Sequence, residues 1–238
     1  MFASLFKQNA PIAIIVAMQS EADALLEKLH IKKNYQHNRK FVYEGKLGKR
    51  STVVTISGIG KVNAALTTQF IIDRYRPKHI FNLGVAGGIA KEVAIGDVVI
   101  GREIFYSDFD LSAFGYQLGE VPDMGLGFAS TFLKKENKLN NNLNSFIKYG
   151  NIITADQFEN DPKHISELSI QFNALAKDME SAAIAQTCQI NTTPFDVIRG
   201  ISDLSRENAL VEFNNHLEKA IQNYTKVFLE NLNQLIDQ

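Results

Sequence analysis

Short, nearly continuous apolar runs recur along the chain, each followed by a segment with helical periodicity. Ile12–Ala17, His79–Leu83, Ile152–Ala155 and Phe195–Ile201 lack the polar alternation of a half-exposed strand, so each predicts a strand buried on both faces. After the first of them, Ala22, Leu25, Leu26 and Leu29 recur at helical spacing within Ser20–Leu29. Further helices are predicted over Val62–Asp73, Pro162–Leu168, Ser181–Gln189 and Val211–Leu235. Phe41–Leu47 and Arg50–Ile56, joined across Gly48-Lys49, predict a β-hairpin, and extended structure resumes at Asp97–Ile100. This alternation predicts an α/β fold with a central, mixed but mostly parallel twisted sheet, flanked by helices on both faces. A chain of 238 residues suits one such domain, here expected over residues 11–238 with residues 1–10 as an N-terminal extension. Phe105–Gly127 reads as an ordered, loop-rich excursion. Thr131–Leu143 reads as an exposed helix with a frayed, asparagine-rich end (Asn140, Asn141, Asn142, Asn144).

Charge narrows the function. The net charge of -1 leaves no basic excess for collecting phosphates, so nucleic-acid binding is not expected. Ile31-Lys32-Lys33 is a short cationic patch that suits a solvated face. Cys188 is the only cysteine, which rules out an intramolecular disulfide and predicts a core thiol in a reducing compartment. Ile12–Met18 is too short to cross a bilayer, and Met1–Lys7 lacks the pattern of a signal peptide. A cytosolic protein without membrane association is expected. The histidines (His30, His37, His79, His164 and His216) are scattered without ligand spacing, so no metal site is predicted.

Three acids stand out against this background. Asp203 ends the otherwise apolar run Ile198-Arg199-Gly200-Ile201-Ser202, Glu21 follows the first strand, and Glu180 follows Lys177-Asp178-Met179. Buried carboxylates need a partner or a task. In α/β sheets, ligands sit outside the carboxyl ends of the strands. That rule brings Glu21, the Gly84–Gly88 loop, Phe158 and Asp203 to one rim, with Glu180 joining from a helix start. Acid–base chemistry is the reading this favours. Each acid also has a plainer one: Glu21 and Glu180 as favourable charges at helix N-termini, Asp203 as a cap after a strand. Phe158 has core packing as its plainer reading. Gly84-Val85-Ala86-Gly87-Gly88 lacks the GxGxxG of a dinucleotide site, and Gly58-Ile59-Gly60-Lys61 lacks the first glycine and the hydroxyl of a P-loop. Both read as tight turns or as backbone that approaches a ligand closely.

Seven motifs then occur in a shared order. They are Ala17-Met18-Gln19-Ser20-Glu21, the run Ser57-Gly58-Ile59-Gly60-Lys61-Val62-Asn63-Ala64-Ala65, Ala86-Gly87-Gly88, Gly96-Asp97-Val98-Val99, Ala113-Phe114-Gly115-Tyr116, Met179-Glu180 and Ile201-Ser202-Asp203. Over residues 11 to 230 the chain resembles the 5'-methylthioadenosine/S-adenosylhomocysteine nucleosidases, within the purine nucleoside phosphorylase-like superfamily.

The resemblance implies a homodimeric hydrolase that releases adenine from 5'-modified adenosines without metal or cofactor. It makes Asp203 the general acid at purine N7 and Glu21 the group that activates water. Glu180, with the backbone of Met179, would bind the ribose hydroxyls. Phe158 would stack on the base, the backbone at Glu159 would read its edge, and Ala86 and Gly87 would border it. Ile59 would line the 5' pocket, with Phe114 and Pro122 reaching in from the neighbouring subunit. Phosphorolytic relatives hold phosphate with arginines in two loops that here read Ala17-Met18-Gln19-Ser20-Glu21 and Asn82-Leu83-Gly84-Val85, so water is the expected nucleophile. Val85, Glu159 and Lys177-Asp178 depart from the family pattern. The Glu159 side chain is expected to point to solvent. Leu204–Phe213 looks short and offers no aromatic before Phe213. Two other readings stay open: hydrolysis of another purine nucleoside, futalosine-type or inosine, and a non-catalytic nucleoside-binding protein on the same fold.

Overall fold

The computed structural model describes residues 10–131, 145–206 and 208–236, with side chains through residue 233. The extension expected over residues 1–10, apart from Ala10, lies outside the described residues. So does the helix expected over Thr131–Leu143, apart from Thr131.

The first strand, β1 (Ile12–Val16), is buried throughout and lies between β4 (Arg50–Ile56) and β5 (His79–Gly88), parallel to both. Helix α1 (Gln19–Leu26) stops before the expected Leu29, because Leu29 begins a strand that the sequence reading missed. This is β2 (Leu29–His37), paired antiparallel with β3 (Lys40–Leu47) across a two-residue turn. Asn38 and Arg39 there have φ of 46° and 63°, as a tight hairpin turn requires. Lys32 and Lys33 lie exposed on β2, which is an edge strand whose charges discourage further pairing. A polar edge strand has no apolar period to detect.

Helix α2 (Lys61–Tyr75) follows β4 and ends at Arg76, whose left-handed backbone (φ 46°) precedes Pro77. Strand β5 then runs five residues past the expected Leu83 and absorbs Gly84–Gly88, so that stretch is strand and not a turning loop. The correction has a steric reason. Glycine in a strand marks a close approach, and a Cβ on Gly84 would collide with the side chains of Arg199 and Glu21. A Cβ on Gly87 would collide with Ser205 and lie 2.9 Å from the Asp203 carboxylate.

The remaining elements are β6 (Val98–Tyr106), β7 (Phe128–Ala129), β8 (Ile147–Thr154), α3 (Pro162–Phe172), β9 (Ala174–Asp178), α4 (Ser181–Ile190), β10 (Phe195–Asp203) and α5 (Ala209–Ile236). The sheet is mixed. From the β2 edge it runs through β3, β4 and β1 to β5, then closes on itself through β10, β6, β8 and β9 back to β5. Helices α2 and α4 cover one face through residues such as Ala64, Ile71, Ile184 and Cys188. Helices α1 and α5 cover the other through Leu25, Ile221, Tyr224 and Phe228. Both flanks expected from the sequence are thus present. Cys188 is fully buried, and burial pushes its thiol pKa well up, as suits an inert core residue. Among the described residues, no helix is long and apolar enough to cross a membrane.

Candidate active site

The carboxyl ends of β1, β5, β9 and β10 converge, and the segment after β8 folds over them. Together with the start of α5 they enclose a cavity of about 410 Å³. Glu21, Glu180, Asp203, Met179, Phe158, Glu159, Ile59, Ala86 and Gly87 all line it. Phe114 and Pro122 do not, and Phe114 is 79% exposed on the surface of this single chain.

Glu21 lies in the first turn of α1, but its side chain folds back under the strand ends. Oε2 accepts from the amides of Ala17 and Met18, and Oε1 from that of Val85, each at 2.9 Å. Tyr224 of α5 donates to the Glu21 carbonyl (3.1 Å) and fixes the turn from the other side. Burial raises the Glu21 pKa, against the pull of Arg199 and the three amides.

Glu180 occupies the N-cap position of α4 but does not cap it with its side chain. Its Oε1 instead accepts from the Gly60 amide at 2.9 Å, at the start of α2. Burial, then the charge of Asp178, lifts its pKa to about 7, while Arg199 and the Gly60 amide oppose the shift.

Asp203 ends β10. Its Oδ2 accepts from the Ser202 hydroxyl and its Oδ1 from the Ser205 amide, both at 2.9 Å. Burial raises this carboxyl's pKa too; the Ser205 amide and the Ser202 hydroxyl lower it, and the charge of Glu212 adds to the rise. The capping role considered for Asp203 is therefore present, since it closes the turn onto Ser205. That does not exhaust its function, because the carboxyl still lines the cavity.

Beneath the three acids runs a polar network that the sequence reading left without a role. Arg199 is fully buried; its Nε donates to Asp178 Oδ2 (2.7 Å), and one Nη to Asn82 Oδ1 (2.6 Å) and Ser181 Oγ (2.9 Å). Asp178 also accepts from Thr154 Oγ1 (2.6 Å), from the amides of Glu180 and Ser181, and from the Ser181 hydroxyl. The signal was an arginine in mid-strand, where an unpaired charge is not tolerated.

Two departures noted separately in the sequence meet here. The Glu159 side chain does not project into solvent as expected. Only 15% exposed, it lies 3.7 Å from the Nζ of buried Lys177. The expectation rested on the cost of an unpaired buried acid, and the lysine removes that cost. Phe213, the first aromatic after Asp203, lines the cavity and meets Phe158 edge-on with ring centres 6.1 Å apart.

Such a site can favour a proton on a buried carboxyl, present a second acid to water, and accept hydrogen bonds from a diol. Its walls are mainly apolar, which suits a planar aromatic ligand with few polar atoms.

Comparison with known proteins agrees with this geometry. A family model described as the phosphorylase superfamily matches residues 11–233. The chain is 38% identical over 219 residues to the 5'-methylthioadenosine/S-adenosylhomocysteine nucleosidase of Staphylococcus haemolyticus, covering 91% of this chain and 96% of that one. Among solved structures, the Neisseria meningitidis 5'-methylthioadenosine/S-adenosylhomocysteine nucleosidase in complex with methylthio-immucillin-A superposes with a TM-score of 0.89 at 36% identity, covering 94% of this chain and 99% of that chain. The S-adenosylhomocysteine nucleosidase of Streptococcus pyogenes, in complex with 5-methylthiotubericidin, gives a TM-score of 0.90 at 31% identity, with 95% and 98% covered.

Proposed function

Since the chain belongs to the phosphorylase superfamily, and within it to the 5'-methylthioadenosine/S-adenosylhomocysteine nucleosidases, we propose that it hydrolyses the N-ribosidic bond of these or related 5'-modified adenosines. The products are adenine and the ribose derivative. The observation that carries the reading is the convergence of Glu21, Glu180 and Asp203 on one cavity from three separate elements.

Asp203 is assigned as the general acid. Burial favours its protonated form, which can donate to purine N7 and so turn the base into a better leaving group as the bond to C1' breaks. Glu21 is assigned to the water: its carboxylate lies across the cavity floor and takes the proton as oxygen attacks C1'. Glu180 accepts from the ribose hydroxyls, and its charge stabilises the cationic sugar of the transition state. Phe158 stacks on the base, with the backbone of Glu159 at its edge, the backbone of Met179 joins Glu180 at the ribose, and Ile59 borders the 5' substituent together with Phe213.

Water is favoured over phosphate as the nucleophile. Among the described residues no arginine lines the cavity, and the guanidinium beneath it is held by Asp178. The exposed Phe114 supports a homodimer in which Phe114 and Pro122 complete the neighbouring site.

Free-base release in phosphate-free buffer tests the proposal, with methylthioadenosine, S-adenosylhomocysteine, adenosine and inosine as substrates and added phosphate as the control. Adenine from the thio-nucleosides, independent of phosphate, is the expected result. No release from any of them would overturn it.

A further inference from the structure

Both residues that flank Phe158 are tied to one buried ammonium. Lys177 comes from β9, where it pairs with Gly87 of β5, and Gly87 in turn pairs with Asp203 of β10. The lysine therefore rises from the same cavity floor as the acid, two strands away. Its Nζ donates to the Gln157 carbonyl at 3.1 Å and lies 3.7 Å from Glu159 Oε2. The other Glu159 oxygen accepts from the amides of Asn160 and Asp161, at 3.2 and 3.3 Å. Between these anchors Phe158 is half exposed and packs edge-on against Phe213 of α5.

An apolar residue at 177 would leave the Gln157 carbonyl without its lysine donor and Glu159 Oε2 without its buried cation, with only His164 (3.9 Å) beside that oxygen, while Oε1 keeps the amides of Asn160 and Asp161. The segment would then gain by turning those groups toward water and carrying Phe158 with them. Burial lowers the pKa of Lys177, while Glu159, Asp108 and Asp178 hold its charge in place.

We infer that Lys177 is a positioning residue for the base clamp: it acts through Gln157 and Glu159 to hold Phe158 and the neighbouring backbone where a purine is gripped. The inference rests on the proposed reading of Phe158 as the stacking aromatic. It assigns to Lys177 a binding role distinct from the chemistry at Asp203 and Glu21, so its loss falls on KM and not on kcat.

The test compares wild type with Lys177→Met, Lys177→Arg and Glu159→Gln, by kcat and KM on methylthioadenosine and by calorimetric Kd for adenine. Lys177→Met is expected to raise KM and the adenine Kd about tenfold or more, the size of a lost hydrogen bond to a charged group. Lys177→Arg should recover most of that loss, and Glu159→Gln should reproduce part of it. A purely structural role would lower kcat and the active fraction with KM unmoved, and recovery by arginine would be absent. An adenine Kd for Lys177→Met within about twofold of wild type, or, if that variant does not fold, a Glu159→Gln equal to wild type, would overturn the inference. If wild type binds adenine but hydrolyses none of the thio-nucleosides, the functional reading fails while the Kd comparison still decides the role of Lys177. If wild type does not bind adenine at all, both fail.

Discussion

Glu21 and Arg199 meet across the bare Cα of Gly84. A Cβ there would lie 2.7 Å from Glu21 Oε1 and collide with the Arg199 guanidinium, so the two side chains use the space that a larger residue would fill. The acid assigned to water and the centre of the buried network thus share one glycine on β5. Arg199 lowers the Glu21 pKa and burial raises it, with burial the larger effect. The strand, the arginine and the acid act as a unit.

Gly84→Ala should therefore cost more than its one methyl suggests. The strand backbone permits alanine, but the new Cβ must displace either the guanidinium from Asp178 and Asn82 or Glu21 from the Val85 amide. Overpacking of this kind costs about 1–3 kcal/mol, and displacing a catalytic group by an ångström can cost about a hundredfold in rate. Thermal melts together with kcat measure both; wild-type values in each would show that the two side chains have room to move.

Asp203→Asn keeps the size of the side chain and removes its exchangeable acid proton. General acid catalysis contributes about a hundredfold to ten-thousandfold, so turnover should fall by at least the lower figure. The Ser205 amide can still donate to the asparagine oxygen, so the far-ultraviolet circular dichroism and adenine binding should persist. Turnover close to wild type would remove Asp203 from the acid's role.

Much of this arrangement was legible in the chain. The central strands β1 and β10 announce themselves as apolar runs, and the three acids stand at or just beyond strand ends where an α/β sheet binds ligands. What escaped notice depended on tertiary pairing. β2 is polar because it is an edge, so no apolar period marks it. Gly84–Gly88 reads as a tight turn or as backbone close to a ligand, because composition alone does not distinguish glycines that bend a chain from glycines that admit a neighbour's side chain. Glu159 and Lys177 stand 18 positions apart, and neither predicts the other until β9 and the segment after β8 come together. Single-chain geometry likewise leaves Phe114 and Pro122 outside the cavity.

Arg199→Met probes the network beneath the acids. Removing the guanidinium leaves Asp178 buried beside Glu180 with one fewer counter-charge, and breaking a buried pair from one side costs about 3–5 kcal/mol. A fall of that size in urea-unfolding free energy is expected, with little adenine release remaining. Replacing both partners, as Arg199→Met with Asp178→Leu, should recover part of the stability, because Asp178 is then no longer a buried charge without its arginine. A double variant less stable than the single one would show that Asp178 is held mainly by its other donors, Thr154 and the amides of Glu180 and Ser181.

The titration of Glu180 makes a prediction about stability that is separate from turnover. Its pKa rises from 4.5 to about 7 on folding, with burial as the first cause and the Asp178 charge as the second. Below pH 4.5 both folded and unfolded chains hold this proton, and the group costs the fold nothing. Between the two values the folded chain binds the proton that the unfolded chain has released, so stability falls as pH rises through the window, by up to about 3 kcal/mol. Above about pH 7 the penalty is complete and constant. Glu180→Gln mimics the protonated form and still accepts from the Gly60 amide. Its stability relative to wild type should therefore grow between about pH 5 and about pH 8, read by urea unfolding at each. Substrate turnover should be lost at both, because an amide places no charge beside the sugar. A stability difference that does not change with pH would mean that Glu180 ionises in the folded chain as easily as in water, with Arg199 and the Gly60 amide outweighing burial.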